Sequence, residues 1–281
     1  MDKFNYFYGC LSGQELLRIS KLLEKVFKRR FDYKYLNWLY NQNPNGKAIS
    51  FNIANNIGEI IGHYVIIPVF LLVNGKKYKS GLSLNTAVDP KFRGKGFFKL
   101  MAQKTYDKAK DHDLKFIISV ANNQSTKLFL KYFNFQNLGS LDVKIGIGEI
   151  QKDKQNINLQ FFWDSNSINW RLKNPKYIYN FKKNENEINV YLKKFSILNI
   201  LLGSFKLNYF PKLITKNETQ NNLKMFIGLG KYNWKNSYYL NLPDYFKPSP
   251  LNLILKNITN DKIIQVKKND VFVQLIDFDA F

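Results

Sequence analysis

Apolar and polar residues alternate at the start of the chain, with Phe4, Tyr6 and Tyr8 on one side, the period of a half-buried strand. After Ser12 the period becomes helical, and Leu16, Ile19, Leu23, Val26 and Phe27 fall on one face. Ser12-Gly13-Gln14-Glu15 predicts a capping box, with a hydroxyl at the cap and a carboxylate three residues on. A second, short helix around Tyr35, Trp38 and Leu39 stops at the turn Asn43-Pro44-Asn45-Gly46. Three strands are expected next as a meander, near Ile49–Ala54, Glu59–Val73 and Lys76–Val88. Asn56-Ile57-Gly58 and the hairpin signal Asn74-Gly75 separate them. Asp89-Pro90 ends the third strand, and Arg93-Gly94-Lys95-Gly96 opens a helix faced by Phe98, Met101, Ala102, Thr105 and Ala109. A strand at Phe116-Ile117-Ile118-Ser119-Val120, a helix over Asn122–Tyr132 and a strand over Leu138–Ile150 follow.

The polar stretch Gln151–Asn158 reads as a linker and divides the chain into lobes 1–150 and 151–281. Beyond it, Leu36-Asn37-Trp38 and Asn43-Pro44 are echoed by Ile168-Asn169-Trp170 and Asn174-Pro175. Each is followed by an aromatic or apolar strand and a turn, Asn56-Ile57-Gly58 in one half and Asn184-Glu185-Asn186 in the other. A second lobe related to the first accounts for this echo. Chance recurrence in an asparagine-rich chain is the competing account.

Composition narrows the class. Apolar residues make up 45% of 281, enough for the core of one large or two ordinary domains. The longest apolar runs, Ile60–Val73 and Phe195–Phe205, fall short of the ~18 residues of a membrane helix. The N-terminus lacks the layout of a signal peptide, and Cys10 is the only cysteine, so neither a disulfide framework nor a cysteine metal site is expected. These features predict a cytoplasmic protein with no membrane span and no metal. The net charge of +22 is carried mainly by lysine, since arginine stands only at 18, 29, 30, 93 and 171. Solvated lysines in a Lys/Asn/Ile-rich chain explain much of that charge. An acidic ligand, such as a nucleotide, CoA or nucleic acid, is the functional alternative. No dense basic tract exists, which disfavours a nucleic-acid arm.

The turn after Val88 carries the chemistry. Gly94 and Gly96 remove side chains that would block backbone N–H groups from a pyrophosphate. The helix that follows adds the positive end of its dipole, and Arg93 and Lys95 can add charge-assisted hydrogen bonds. The Lys-Ser/Thr ending of a nucleotide P-loop is missing, and a meander precedes the turn where a dinucleotide fold would have a parallel unit.

Val88-Asp89-Pro90-Lys91-Phe92-Arg93-Gly94-Lys95-Gly96-Phe97-Phe98 resembles the acyl-CoA motif of GNAT N-acyltransferases, Arg/Gln-x-x-Gly-x-Gly/Ala after a Val-x-Pro strand end. Phe98 departs from the usual Gly or Ala. The order of elements in residues 1–150 resembles that family too. The implied fold is α/β (α+β), as two tandem GNAT-like lobes. The first would have a mixed, mostly antiparallel sheet, and the second, which has only Gly228-Leu229-Gly230-Lys231, would be degenerate.

The resemblance implies that acyl-CoA is the co-substrate, held by Arg93, Gly94, Lys95, Gly96 and Phe97. Ala87 and Val88 would pair with the pantetheine arm, and a backbone N–H there would stabilise the oxyanion. Asn122 and Ser125 would complete the CoA site, although Asn122 also fits a plain helix cap. The usual acid position holds Phe129, leaving Tyr132 one turn later as a substitute. The usual base positions hold Leu84 and Asn85. The catalytic candidates are therefore His63, Asn85 and Tyr132, and His63 and Tyr132 fit structural roles equally. A missing base points to a weakly basic amine. Two-lobed chains with these motifs look like GNAT enzymes that acylate nucleotide-linked amino-dideoxy sugars for surface polysaccharides, with an acetyl or hydroxyacyl group. The rivals are a Fem-type aminoacyl-tRNA-dependent transferase and a basic nucleic-acid-binding protein.

Overall fold

A computed structural model describes residues 3–148, 150–152, 157–183, 187–194, 198–206, 223–234, 238–243, 245, 251–259 and 266–278. The predicted order holds through residue 133: β1 (Asn5–Tyr8), α1 (Gly13–Phe27), α2 (Tyr33–Asn41), β2 (Ile49–Ala54), β3 (Ile60–Val73), β4 (Lys76–Val88), α3 (Phe97–Asp111), β5 (Phe116–Ala121) and α4 (Asn123–Phe133). Asn74 and Gly75 both have positive φ, 48° and 76°, which suits the tight hairpin between β3 and β4. Along β3, Val65, Ile67, Val69 and Leu71 face α1 and α2, while Ile61 and Ile66 face α3.

The strand expected over Leu138–Ile150 is two strands, β6 (Gln136–Ser140) and β7 (Asp142–Ile147). They part because each finds different partners, as described below. Then come β8 (Gln151–Lys152), β9 (Leu159–Phe162), α5 (Ser165–Arg171), β10 (Tyr179–Lys183), β11 (Glu187–Lys194), β12 (Leu198–Lys206), β13 (Leu223–Leu229), β14 (Tyr232–Asn233), β15 (Tyr238–Asn241), β16 (Asn252–Asn257) and β17 (Val271–Gln274). The expected linker thus begins with a short strand, β8, which pairs with β14.

The fold is α/β with a mixed sheet, ordered β10-β11-β12-β13-β17-β9-β3-β4-β5-β16-β6. Strands β1 and β2 branch from β3, and β7 and β15 from β13. The second half repeats the first: β10–β11–β12 are antiparallel and β13 joins β12 in parallel, as β5 joins β4. The turn at Asn184-Glu185-Asn186 lies outside the described residues.

The halves also exchange strands. β7 leaves the first half to pair with β13 and β15. β16 leaves the second half and lies between β5 and β6. A cut at residue 150 follows the chain, but the sheet crosses it in both directions.

The capping box at α1 is only half formed. Ser12 Oγ accepts from the Glu15 N–H at 3.4 Å, but the Glu15 carboxylate turns inward. It takes the backbone N–H groups of Cys10 and Leu11 at 3.0 and 2.9 Å, and the Asn52 amide at 2.7 Å. Two backbone donors and a buried amide offer more than the single cap N–H.

Candidate acyl-CoA site

β4 and β5 pair only from Ser80–Phe116 to Ser83–Ser119. Beyond Ser83 the register between β3 and β4 shifts: His63 lies opposite Ala87, but Val65 lies opposite Leu84. Asn85 sits in that bulge with φ +48°, a left-handed conformation that asparagine tolerates better than most residues. The bulge bends β4 away from β5 and leaves β4 backbone groups without a neighbouring strand. A cavity of about 380 Å³ opens there, lined by Thr86 and Val88 from β4, Arg93 and Gly96 from the turn, and Asn122 and Ser125 at the start of α4.

Gly94 and Gly96 hold φ of +81° and +76°. A Cβ added at either would meet nothing within 4 Å, so open space lies over the turn. Gly96 is the N-cap of α3 and supplies no side-chain cap, and no acidic residue occupies the first turn. The first backbone N–H groups of α3 therefore face that space without an intrahelical partner. This arrangement fits the pyrophosphate of CoA, because free donors and the helix dipole converge where nothing obstructs them. Lys25 of α1 donates to Asp89 Oδ2 at 2.6 Å, and the Lys91 N–H binds Asp89 Oδ1, so the turn is anchored at its start. Burial opposes the Asp89 charge, but these two donors outweigh it and hold the carboxyl below its ordinary range.

The residues singled out from sequence divide into several groups. Arg93 lines the cavity, and its Nε donates to the Val88 carbonyl at 3.4 Å. Lys95 differs from expectation: its ammonium lies over the rings of Phe4 and Phe92, at 5.1 and 5.5 Å, and it is not among the residues lining the cavity. Phe97 is buried and also touches the cavity. Ala87 turns its side chain into the core behind β4, which leaves its backbone as the part near the cleft. Asn122 does cap α4, accepting from the Ser125 N–H at 2.8 Å, yet it lines the cavity as well.

The catalytic candidates do not meet at one point. Tyr132 is 42% exposed, lies beside Lys99 and Lys131, and is not among the residues lining the cavity. Phe129, at the usual acid position, does line it. His63 is fully buried, and desolvation pulls its pKa from 6.5 to about 3, so the ring is neutral at physiological pH. It reaches the bulge only through Tyr40, whose hydroxyl lies 3.3 Å from His63 Nε2 and accepts from Asn85 Nδ2 at 2.9 Å.

Sequence reasoning did not find Tyr40, Phe27 or Asn252. Phe27 is the last residue of α1 and lines the cavity although it lies on the apolar face of the helix. Asn252 comes from β16, and its amide donates to Asn123 Oδ1 at 2.8 Å, so the second half braces the start of α4. No local pattern signals a contact that spans so much chain. Among the described residues no group of His, Cys, Asp and Glu side chains is placed to hold a metal ion, and no helix is long and apolar enough to cross a membrane.

Comparison with known proteins agrees with this geometry. Residues 11–129 match the family described as acetyltransferase (GNAT) domain. No curated protein matches the sequence. Among solved structures, a conserved Enterococcus faecalis protein described as a probable N-acyltransferase is similar over 91% of this chain and 73% of its own, with a TM-score of 0.61 at 8% identity. A GCN5-related N-acetyltransferase from Anabaena variabilis is similar over 91% and 73%, with a TM-score of 0.58 at 12% identity. Saccharomyces cerevisiae N-myristoyltransferase, solved with bound myristoyl-CoA, is similar over 90% and 82%, with a TM-score of 0.59 at 10% identity. At these identities the neighbours establish the fold, and the domain match adds the chemistry. Residues 11–129, less than half of the chain, thus match a GNAT acetyltransferase domain, and that match supports an acyl-CoA-dependent N-acyltransferase.

Proposed function

We propose that this chain transfers an acetyl or short hydroxyacyl group from acyl-CoA to the amino group of a nucleotide-linked amino-dideoxy sugar, in the building of a surface polysaccharide. The observation that carries the choice of acceptor is the missing base. Leu84 and Asn85 stand where a carboxylate would serve, and His63 is buried and held neutral. A lysine amine would need such a base near pH 7, whereas a weakly basic sugar amine is already largely unprotonated. The net charge of +22 suits an acceptor carrying a diphosphate.

In this reading the free N–H groups at the start of α3, with Arg93, hold the pyrophosphate. The β4 backbone at Ala87 and Val88, which has no strand beside it on the β5 side, binds the pantetheine arm. A backbone N–H there polarises the thioester carbonyl and supports the oxyanion while the amine attacks. The C–N bond forms as the C–S bond breaks. The amine proton passes to water, and the thiolate of CoA leaves and is protonated from solvent.

The test is a thermal-shift and turnover screen of acyl-CoAs of increasing chain length, crossed with UDP- and dTDP-linked amino-dideoxy sugars and with lysine peptides. Turnover of a sugar nucleotide supports the proposal. Turnover of lysine peptides alone removes the sugar acceptor, and no stabilisation by any acyl-CoA removes the CoA site.

A further inference from the structure

A chain of five buried or half-buried polar side chains runs from α1 to the bulge of β4, and its direction follows from the chemistry of its first member. Glu15 is 2% exposed, and its carboxylate only accepts. Backbone N–H groups of Cys10 and Leu11 bind its Oε2, so its Oε1 must face the NH₂ of Asn52, at 2.7 Å. That turns Asn52 Oδ1 toward His63 Nδ1, at 2.6 Å, and the hydrogen on the ring must sit on Nδ1. His63 Nε2 is then a lone pair, so the Tyr40 hydroxyl donates to it, at 3.3 Å. The Tyr40 oxygen in turn accepts from the Asn85 NH₂ at 2.9 Å. Every link is forced by the one before. The chain ends on Asn85 Oδ1, which binds no partner among the described residues, on a half-buried residue at the point where β4 leaves β5. Gly9 packs against the head of the chain. A Cβ there would lie 2.6 Å from Glu15 Oε1 and 2.8 Å from Asn52 Nδ2, so the geometry leaves little slack.

We infer that Asn85 Oδ1, on the residue next to Thr86 of the cavity wall, is the acceptor for an N–H of the attacking amine, and that Glu15, Asn52, His63 and Tyr40 are positioning residues that keep the oxygen, and not the NH₂, at the free end of this side chain. This deepens the acyl-transfer reading and rests on it. An amide has two ends that differ little in size, and one end would repel an amine N–H where the other accepts it. A buried carboxylate fixes the choice through three intermediates without touching substrate. The imidazole takes part as a neutral, directional spacer and gains or loses no proton.

The prediction is specific because the chain can be reversed. In Glu15→Gln the side-chain oxygen still serves Cys10 and Leu11, while its NH₂ must donate to Asn52. Asn52 then flips, the hydrogen on His63 moves to Nε2, Tyr40 donates to Asn85 Oδ1, and the Asn85 NH₂ takes the free end of the chain. Nitrogen-15 NMR of the histidine side chains reads the tautomer directly. Kinetics use acetyl-CoA with hydroxylamine, a small neutral amine that needs no sugar pocket. Wild type should show the hydrogen on Nδ1, and Glu15→Gln should show it on Nε2. The KM for hydroxylamine should rise at least about fivefold in Glu15→Gln, the worth of about one hydrogen bond, with kcat and the KM for acetyl-CoA nearly unchanged. Tyr40→Phe, which removes one oxygen and guards against a Glu15→Gln protein that fails to fold, should keep the hydrogen on Nδ1 and still raise the hydroxylamine KM. An Nε2 tautomer in wild type, or an unchanged hydroxylamine KM in Tyr40→Phe, overturns the inference. A wild type inert toward hydroxylamine overturns the acyl-transfer reading along with the amine contact, and the tautomer would then report on the chain alone.

Discussion

Trp38 and Trp170 stack with ring centroids 4.8 Å apart and planes 19° from parallel, and each indole N–H donates to the other's backbone carbonyl, at 3.0 and 3.2 Å. Such reciprocity needs a local two-fold relation between α2 and α5. The echo of Asn-Trp and Asn-Pro in the two halves thus falls at facing positions of the fold, and Asn43 and Asn174 keep the same turn, each accepting from the N–H two residues on.

Trp38→Phe and Trp170→Phe should destabilise the protein by similar amounts, about 0.5–1.5 kcal/mol each, because each deletes one buried indole–carbonyl hydrogen bond while the carbonyl keeps a backbone donor. Urea denaturation measures this. One silent and one costly substitution would show that the pair is not equivalent.

Gly96→Glu should abolish CoA binding in calorimetry while the protein stays folded. The new side chain enters open space, so it clashes with nothing, and the strain of a left-handed residue costs only about 1–2 kcal/mol. Its charge then sits where the α3 N–H groups would meet phosphate. Retained affinity in a folded variant would remove the turn from the mechanism.

A chain ending after residue 150 should not yield a stable first half. It lacks β16, so β5 and β6 lose the strand between them, and β7 loses both of its partners. Circular dichroism and hydrogen exchange on the fragment test this, and a cooperative thermal transition would contradict it.

Two buried groups should pull stability against pH in opposite directions. Desolvation lowers His63 from 6.5 to about 3, so its contribution is present above pH 6.5 and is lost as pH falls. Burial raises Asp277 from 3.8 to about 7, despite hydrogen bonds from Trp163 and the Gln274 N–H and the nearby Arg171 charge. Its contribution is present below pH 3.8 and is lost as pH rises toward 7. Between about pH 4 and 6.5 the two slopes cancel. Relative to wild type, the stability of His63→Asn should fall by about 1.4 kcal/mol per pH unit as pH rises through this window, and that of Asp277→Asn should rise by as much. Parallel stability curves for wild type and variants would refute both assignments.

Tyr132→Phe should leave kcat within about twofold of wild type, because the phenol is exposed and absent from the cavity wall. A loss above a hundredfold with a vanished limb in the pH profile would make Tyr132 the acid after all.

The glycine turn before α3 was legible from sequence because its signals are local: two glycines, a strand end and a helix start within nine residues. The meander was legible too, since the period of its apolar positions and its turn residues agree. The packing of Lys95 over Phe4 was not legible, because the charge suggests a phosphate while Phe4 is remote in the chain. Glu15 read as a cap because nothing nearby reveals Asn52 as a stronger partner. The break between β6 and β7 was not legible for the same reason: Gly139 has φ +113° there, but the partners that separate the strands lie about 80 to 120 residues further on.

The exchange of β7 and β16 sets an order of events at the ribosome. β5 and α4 emerge long before β16, and until Asn252 arrives Asn123 lacks the hydrogen bond that joins the start of α4 to the second half. A nascent chain can build the glycine turn early, but β5 gains its neighbour β16 only when the second half arrives. A chain halted midway would then carry the glycine turn without the strand that lies against β5 and braces α4.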